Sequence, residues 1–253
     1  MKNRLNPAII VLFFLLFNCL MYPCFSQYYP GGISNTNLKI WLDANDATTL
    51  TVASGKVSQW NDKSGTGVNV TQATSANQPA YTTNQINGMP IIQTDGSSTY
   101  LGGTFAVNGL NQISMLAVAT PSTITSTLAN PYSVNYPIFY WGMETGTGWG
   151  QIGLNLNNVS TATFYNFGWR FGTSQASSDV FYNPAATPSG AKVMAAAHLN
   201  TVEKGYYNGF NITTPVAGYS LTSKLTTIAN TPNTFFVGHG QNPYGGNGYG
   251  GNN

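Results

Sequence analysis

The hydrophobic positions of this chain fall in short runs separated by clusters of glycine, asparagine, proline and serine. The runs are rich in branched and aromatic residues, and no segment shows the longer period of an amphipathic helix. This pattern is typical of β-strands, because branched and aromatic side chains pack well on a pleated surface. We predict strands at Leu38–Leu42, Pro90–Thr94, Ile113–Thr120, Ile138–Met143, Gln151–Leu156, Thr163–Phe171, Lys192–Leu199, Lys204–Asn208 and Thr234–Val237.

One stretch admits two interpretations. Ala191–Leu199 contains the three consecutive alanines Ala195–Ala197, which would suit a helix. We favour a strand, because the segment is short and the strand-and-turn pattern Tyr206–Gly209 follows it. Strands at this spacing, without alternating helices, predict an all-β fold, namely a two-sheet antiparallel β-sandwich of the jelly-roll type.

The first residues have the features of a secretory signal peptide. Lys2 and Arg4 precede the apolar run Ala8–Leu20, and the small residue Ser26 offers a cleavage site. A membrane anchor is the alternative, but the run is shorter than the roughly 20 apolar residues that span a bilayer. We predict that residues 1–26 are removed, that no membrane span is left, and that the protein is secreted or held at the cell surface.

Both cysteines, Cys19 and Cys24, lie inside this segment. A lipoprotein signal prefers small residues before its cysteine, whereas Asn18 and Pro23 stand there, so lipidation is the less favoured alternative. The mature chain would contain no cysteine. Disulfides would then be excluded, and stability would come from the β core.

Composition narrows the classes of partner. Only 6% of the residues are charged, the formal net charge is +2, and the nine Lys and Arg residues are scattered. Nucleic acid is therefore excluded as an expected partner. Hydrophobic residues make up 42% of the chain, enough for a folded core. We expect one sandwich domain over residues 27–237, followed by a Gly/Asn/Tyr-rich loop over residues 238–253.

Several segments carry a family resemblance as a set. Pro30–Gly32 and Leu38–Ala44 are followed by Trp60–Gly65, Ala76–Pro79, Ile86–Pro90, Val193–Leu199 and Lys204–Gly209. Together they resemble the concanavalin A-like or laminin-G-like jelly-roll modules of secreted Bacteroidota surface proteins, over about Pro30 to Gly240. The resemblance implies extracellular display, often within adhesin-like proteins, and usually no catalysis.

The chain departs from this family after Gly238. Such modules normally close with a strand carrying a Gly-x-Ile/Leu-Ala-Glu phrase, and no such phrase follows here. The resemblance therefore implies a C-terminally incomplete module. A sheet edge left unpaired in this way would favour pairing with a partner or aggregation.

Aromatic residues are the leading candidates for recognition. A flat ring covers the apolar face of a sugar, while neighbouring Asn and Gln side chains bond its hydroxyls. Aromatic residues flank the Gly-rich stretch Gly142–Gly150 and recur in the terminal loop. The predicted ligand-binding residues are Tyr140, Trp141, Trp149, Tyr244 and Tyr249.

A second cluster comprises Trp60, Asp62, Ser64, Gly65 and Gly67. Asp and Ser side chains bond nearby backbone amides and Gly supplies positive φ, so we predict a structured turn. The functional alternative is a calcium ion, which prefers several oxygen ligands. Its candidate ligands are Asp43, Asp46, Asp62 and Asp95, and we expect no other cofactor.

The sequence gives little support for an enzyme. A glycosidase is the sharpest enzyme alternative, since it needs two carboxylates across the scissile bond. The two glutamates, Glu144 and Glu203, stand alone, although Glu144 lies between Trp141 and Trp149 in sequence. Nucleophile-elbow, zinc-helix and phosphate-loop motifs are absent from the sequence. We predict a non-catalytic module that binds carbohydrate or another surface polymer, with a structural adhesin spacer as the alternative.

Overall fold

The computed structural model describes residues 30, 35–95, 98–120, 136–145, 148–158, 165–172, 179–182, 190–200, 202–212, 227–228 and 233–238. The predicted signal peptide and the terminal loop beyond Gly238 lie outside these residues. Within them the regular secondary structure consists of strands and of short 3₁₀ turns at Asn35–Asn37, Ala47–Thr49 and Ser75–Asn77.

The described strands, in chain order, are β1 (Leu50–Ala53), β2 (Lys56–Trp60), β3 (Val70–Thr71), β4 (Ala80–Ile86), β5 (Met89–Gln93), β6 (Leu101–Thr104), β7 (Gln112–Ala119), β8 (Tyr136–Thr145), β9 (Gly148–Asn158), β10 (Tyr165–Gly172), β11 (Asp179–Tyr182), β12 (Lys192–Leu199), β13 (Val202–Tyr207), β14 (Phe210–Ile212) and β15 (Thr234–Val237).

These strands form two sheets. The larger runs in the order β11-β10-β9-β8-β15-β6-β3-β2-β4-β5, with β1 beside β2, and the smaller in the order β14-β13-β12-β7. The strand pairings are antiparallel. The predicted all-β, two-sheet antiparallel fold is confirmed.

The core lies between the sheets. The larger sheet contributes Trp60, Trp141, Leu154 and Phe235, and the smaller contributes Met115, Met194 and Ala196. The rings of Phe139, Trp141 and Phe235 pack with centroids 4.6 to 5.0 Å apart, within the range of favourable aromatic contacts. The indole Nε1 of Trp141 donates a hydrogen bond to the Phe105 carbonyl at 2.9 Å, which satisfies its buried polar atom.

The ambiguous stretch is a strand. Lys192–Leu199 forms β12, with Met194, Ala196 and His198 buried on one side, as the alternation of a strand requires. The predicted Asn-Gly turn follows β13, with φ values of +50° at Asn208 and +82° at Gly209.

The predicted strand Leu38–Leu42 is wrong. The Trp41 amide donates to the Asp62 carboxylate and the Trp41 carbonyl accepts from the Lys63 amide, so its backbone bonds a loop instead of a ladder.

Candidate functional site

The Asp62 carboxylate organises the turn that follows β2. Its Oδ1 accepts from the amides of Trp41 at 2.7 Å and Ser64 at 3.0 Å. Its Oδ2 accepts from the Ser64 hydroxyl at 2.6 Å, the Thr66 hydroxyl at 3.1 Å and the Gly67 amide at 3.2 Å. Gly67 has a φ of +76°, the backbone that the turn prediction required of its glycines.

Burial and hydrogen bonding oppose each other at this carboxylate. Partial burial acts to raise the pKa of Asp62, but the hydrogen bonds from Ser64, Trp41 and Thr66 outweigh it, so the pKa lies below its usual value. Asp62 is therefore held as an anion that ties the segment before β1 to the loop after β2.

Lys63 lies between two of the candidate calcium ligands. Its Nζ is 2.9 Å from Asp43 Oδ2 and 2.8 Å from Asp46 Oδ2, and 4.4 Å from the ring centroid of Trp41. The two carboxylates thus converge on an ammonium group, which also gains a cation–π contact. The hydrogen bonds from Lys63 and Thr48 hold the pKa of Asp46 below its usual value.

The other two candidates already accept hydrogen bonds from backbone amides. Asp62 is used as described above, and Asp95 accepts from the amides of Ser98 and Thr99 at 2.8 and 2.9 Å. Across the described parts of the chain, no three His, Cys, Asp or Glu side chains form a group that could hold a metal ion. Calcium binding by Asp43, Asp46, Asp62 and Asp95 stays a prediction.

The structure corrects the expected surface position of two aromatic candidates. Tyr140 and Trp141 are each 2% exposed, and the Trp141 ring packs against Phe139 and Phe235 in the core. Trp149 lies in β9 with its backbone paired to Glu144, and its side chain is outside the described residues. The loop residues Tyr244 and Tyr249 also lie outside them.

A surface that the sequence analysis did not single out carries the exposed apolar side chains. Along β7, β12 and β13, one set of alternating residues faces the core and the other faces outward. The large apolar residues of the outward set keep exposed fractions from 67% for Leu116 and 55% for Val118 to 36% for Tyr206. We call this surface the outer face; it comprises Leu116, Val118, Val193, Ala195, Ala197, Leu199, Val202, Lys204, Tyr206 and Asn211.

The register gives the outer face its shape. Ala195 is paired with Leu116 on one side and with Tyr206 on the other, and Tyr206 is paired with Asn211. Directly paired residues of antiparallel strands point to the same face, with neighbouring strands about 4.8 Å apart. The short Ala195 side chain is therefore the floor of a shallow trough bordered by Leu116 and Tyr206, and an amide side chain lies beside the tyrosine.

Two ionisable residues lie on the opposite, inward side of the smaller sheet. His198 and Glu203 are direct ladder partners, and they are 1% and 2% exposed. Burial lowers the pKa of His198, since the charged imidazolium is penalised away from water. Their burial separates both groups from any ligand on the outer face. His198 is a strand residue as expected.

Within the part of the chain that the structure describes, no helix is long and apolar enough to cross a membrane.

Comparisons with known proteins add a fold-level likeness. No protein-family model and no curated protein matches this chain. A solved mutant of a GH54 α-L-arabinofuranosidase is 14% identical with a TM-score of 0.49, covering 76% of this chain and 45% of the enzyme. Domains LG4–5 of the mouse laminin alpha1 chain are 11% identical with a TM-score of 0.35, covering 63% of this chain and 34% of that one.

A tailspike protein of an Escherichia coli O157:H7 bacteriophage is 10% identical with a TM-score of 0.45, covering 80% of this chain and 25% of the tailspike. This chain thus spans less than half the length of each of these proteins. The neighbours include laminin G domains, the type of module that the sequence resembles, alongside β-rich glycosidase and tailspike folds. At such identities and TM-scores they assign this chain neither a family nor an activity.

Proposed function

We propose that this protein is an extracellular, non-catalytic β-sandwich module, formed by residues 27–237, that binds a carbohydrate or another surface polymer on the outer face. The observation that carries the proposal is the outward-facing row Ala195, Tyr206 and Asn211, paired across β12, β13 and β14, in which Tyr206 and Asn211 are exposed. It combines an aromatic ring, a shallow apolar floor and an amide on one open surface.

This row has the groups that a sugar ring requires. A tyrosine ring offers an apolar face for the sugar's C–H groups, and its hydroxyl remains available for a hydrogen bond. The Asn211 side chain, exposed on the edge strand β14, has both donors and an acceptor for hydroxyls. Lys204, two residues before Tyr206 on the same side of β13, adds three donors.

The apolar content of the outer face also favours a binding role. Isolated exposed apolar residues are normal on protein surfaces, whereas a contiguous patch marks an interaction site. Here Leu116, Val118, Val193, Leu199 and Val202 are all more than 40% exposed on one sheet face. A flat face has no end wall, so it suits a long polymer better than a small molecule.

The predicted signal peptide supports an extracellular setting, where polysaccharides are abundant. A structural spacer remains the rival interpretation, and it differs in one respect: a spacer needs no ligand on the outer face. A hydrolase would require accessible carboxylates. Glu203 is buried, so Glu144, whose backbone is paired to that of Trp149, is the residue on which that alternative depends.

The test is a binding screen of the full chain against a panel of neutral and anionic polysaccharides, with calcium and with chelator, while released sugar is assayed. We expect binding without sugar release. Tyr206→Ala should weaken that binding about tenfold, which corresponds to roughly 1.4 kcal/mol.

Phe210→Ala is the matched control. Phe210 is 77% exposed on β14, but its ladder partner is Tyr207, so it belongs to the opposite face from Tyr206. Its removal should leave the affinity unchanged. Trp149→Ala, made in parallel, tests the aromatic residue predicted from the sequence. A folded protein that binds no polysaccharide would refute the proposal, and released sugar that disappears in Glu144→Gln would favour the hydrolase.

A further inference from the structure

Strand β7 is the last described strand at one edge of the smaller sheet. Its eight residues, Gln112–Ala119, pair in unbroken register with β12 and with no strand on the other side among the described residues. β7 contains no charge and no proline. Proteins usually blunt a sheet edge with a charge, a proline or a bulge, since an open edge offers unpaired N–H and C=O groups to another chain.

The burial pattern shows that β7 has side chains exposed to solvent on both faces of the sheet. Of its inward residues Met115 is buried, but Ile113, Ala117 and Ala119 pack against the core and stay partly exposed. In the neighbouring β12, by contrast, Met194, Ala196 and His198 are all buried. Its outward residues Leu116 and Val118 are the most exposed of the large apolar residues on the outer face. A molecule on the outer face would cover only the outward residues. A strand added beside β7 would cover both sets.

We propose that β7 pairs antiparallel with β7 of a second copy of this chain, about a two-fold axis through Leu116. Antiparallel partners must share a face, which limits the register to pairs of residues with the same parity. The axis at Leu116 pairs Leu116 with itself and Ser114 with Val118 on the outer side. The same register pairs Met115 with Ala117, and Ile113 with Ala119, on the inner side.

This register is complementary in volume and brings no like charges together. Each larger inward side chain, Met115 or Ile113, meets an alanine of the other copy, which lets the inner layers of the two copies interlock. No like charges meet, because the strand carries none. A two-fold axis also makes the interface self-complementary, as closed homodimers require. The product is a continuous eight-stranded sheet made from two smaller sheets.

This inference goes beyond the proposed function and does not depend on it. In the dimer the two outer faces would lie side by side in one sheet, so a polymer bound to one copy could continue onto the other. Dimerisation itself requires no ligand.

The first experiment measures sedimentation of the mature protein from Gln27 onward, which contains no cysteine, over a range of concentrations. We expect a reversible monomer–dimer equilibrium. Leu116→Lys places two like charges opposite each other at the axis and should raise the dimer dissociation constant at least tenfold. Val202→Lys is the matched control, since Val202 is 49% exposed on the same face but lies on β13, and it should leave dimerisation unchanged.

A crosslinking experiment tests the register. In the same cysteine-free background, Leu116→Cys should form a disulfide dimer under mild oxidation, because directly paired strand residues have Cα atoms about 4.5–5.5 Å apart, within disulfide reach. Leu199→Cys, on the same face in β12, should not. A protein that stays monomeric at every concentration, or that Val202→Lys disrupts as strongly as Leu116→Lys, would overturn the proposal. Equal crosslinking at both cysteines would overturn it as well.

Discussion

Replacing Asp62 by alanine removes the carboxylate that organises the loop after β2. Three backbone amides, those of Trp41, Ser64 and Gly67, and two hydroxyls lose a carboxylate acceptor. Hydrogen bonds to charged groups contribute about 1.5–3 kcal/mol each when well buried. Since this carboxylate is only partly buried and water can replace part of the lost bonding, we expect a total loss of about 2–3 kcal/mol. For a domain of this size that lowers the melting temperature by roughly 4–12 °C.

The loss should also depend on pH. The folded state holds the pKa of Asp62 below its unfolded value, so the carboxylate stabilises the fold above the unfolded pKa near 3.8. This stabilisation is lost as the pH falls through the lower, folded pKa. Calorimetry of wild type and Asp62→Ala should therefore show a large difference at pH 7 that shrinks below pH 4 (about the unfolded pKa of Asp).

The matched control is Asp46→Asn, which removes a partly exposed partner of Lys63 and should barely change the melting temperature, because surface ion pairs contribute little. If Asp62→Ala and wild type have the same melting temperature at pH 7, the carboxylate does not hold the loop, and this explanation of the turn is wrong.

Three further predictions concern the sheets. Gly103→Ala should destabilise the fold by about 1–3 kcal/mol in denaturant titration, because its Cβ would lie 2.7 Å from Phe235 Cζ; an unchanged midpoint would contradict this packing. Gly209→Ala should cost about 1 kcal/mol, since φ is +82° there, and a neutral result would argue against the turn. Because burial lowers the pKa of His198, the unfolded state binds its proton more readily, so stability is full above about pH 6.5 and declines as the pH falls through that value. His198→Gln, which leaves its partner Glu203 in place, should flatten this decline. If the stability of the variant and that of wild type depend on pH with the same slope from pH 7.5 to 5, this prediction is refuted.

The sequence predicted the features that depend on local chemistry. Alternating branched and aromatic residues gave the all-β class, and the short Lys192–Leu199 segment before an Asn-Gly turn indicated a strand in spite of its alanines. The Asp62 turn followed from the preferences of Asp, Ser and Gly in loops.

The errors arose where distant segments decide the outcome. Trp141 is buried against Phe235 of β15, almost a hundred residues later in the chain, and no local pattern encodes the pairing of β15 with β8. Leu38–Leu42 has the composition of a strand, but the Trp41 amide within it donates its hydrogen bond to the Asp62 carboxylate instead of to another strand. The period of two in β13 could have separated Tyr206 from Tyr207, although it would not have shown which of them faces solvent.

The most direct test of the outer face as a binding surface is hydroxyl-radical footprinting of the protein with and without a bound polysaccharide. We expect the ligand to protect Tyr206 and Leu116 from oxidation, while Phe210, exposed on the opposite face, reacts as before. Protection of Phe210 or Trp149 with unchanged oxidation of Tyr206 would place the ligand elsewhere and contradict the account.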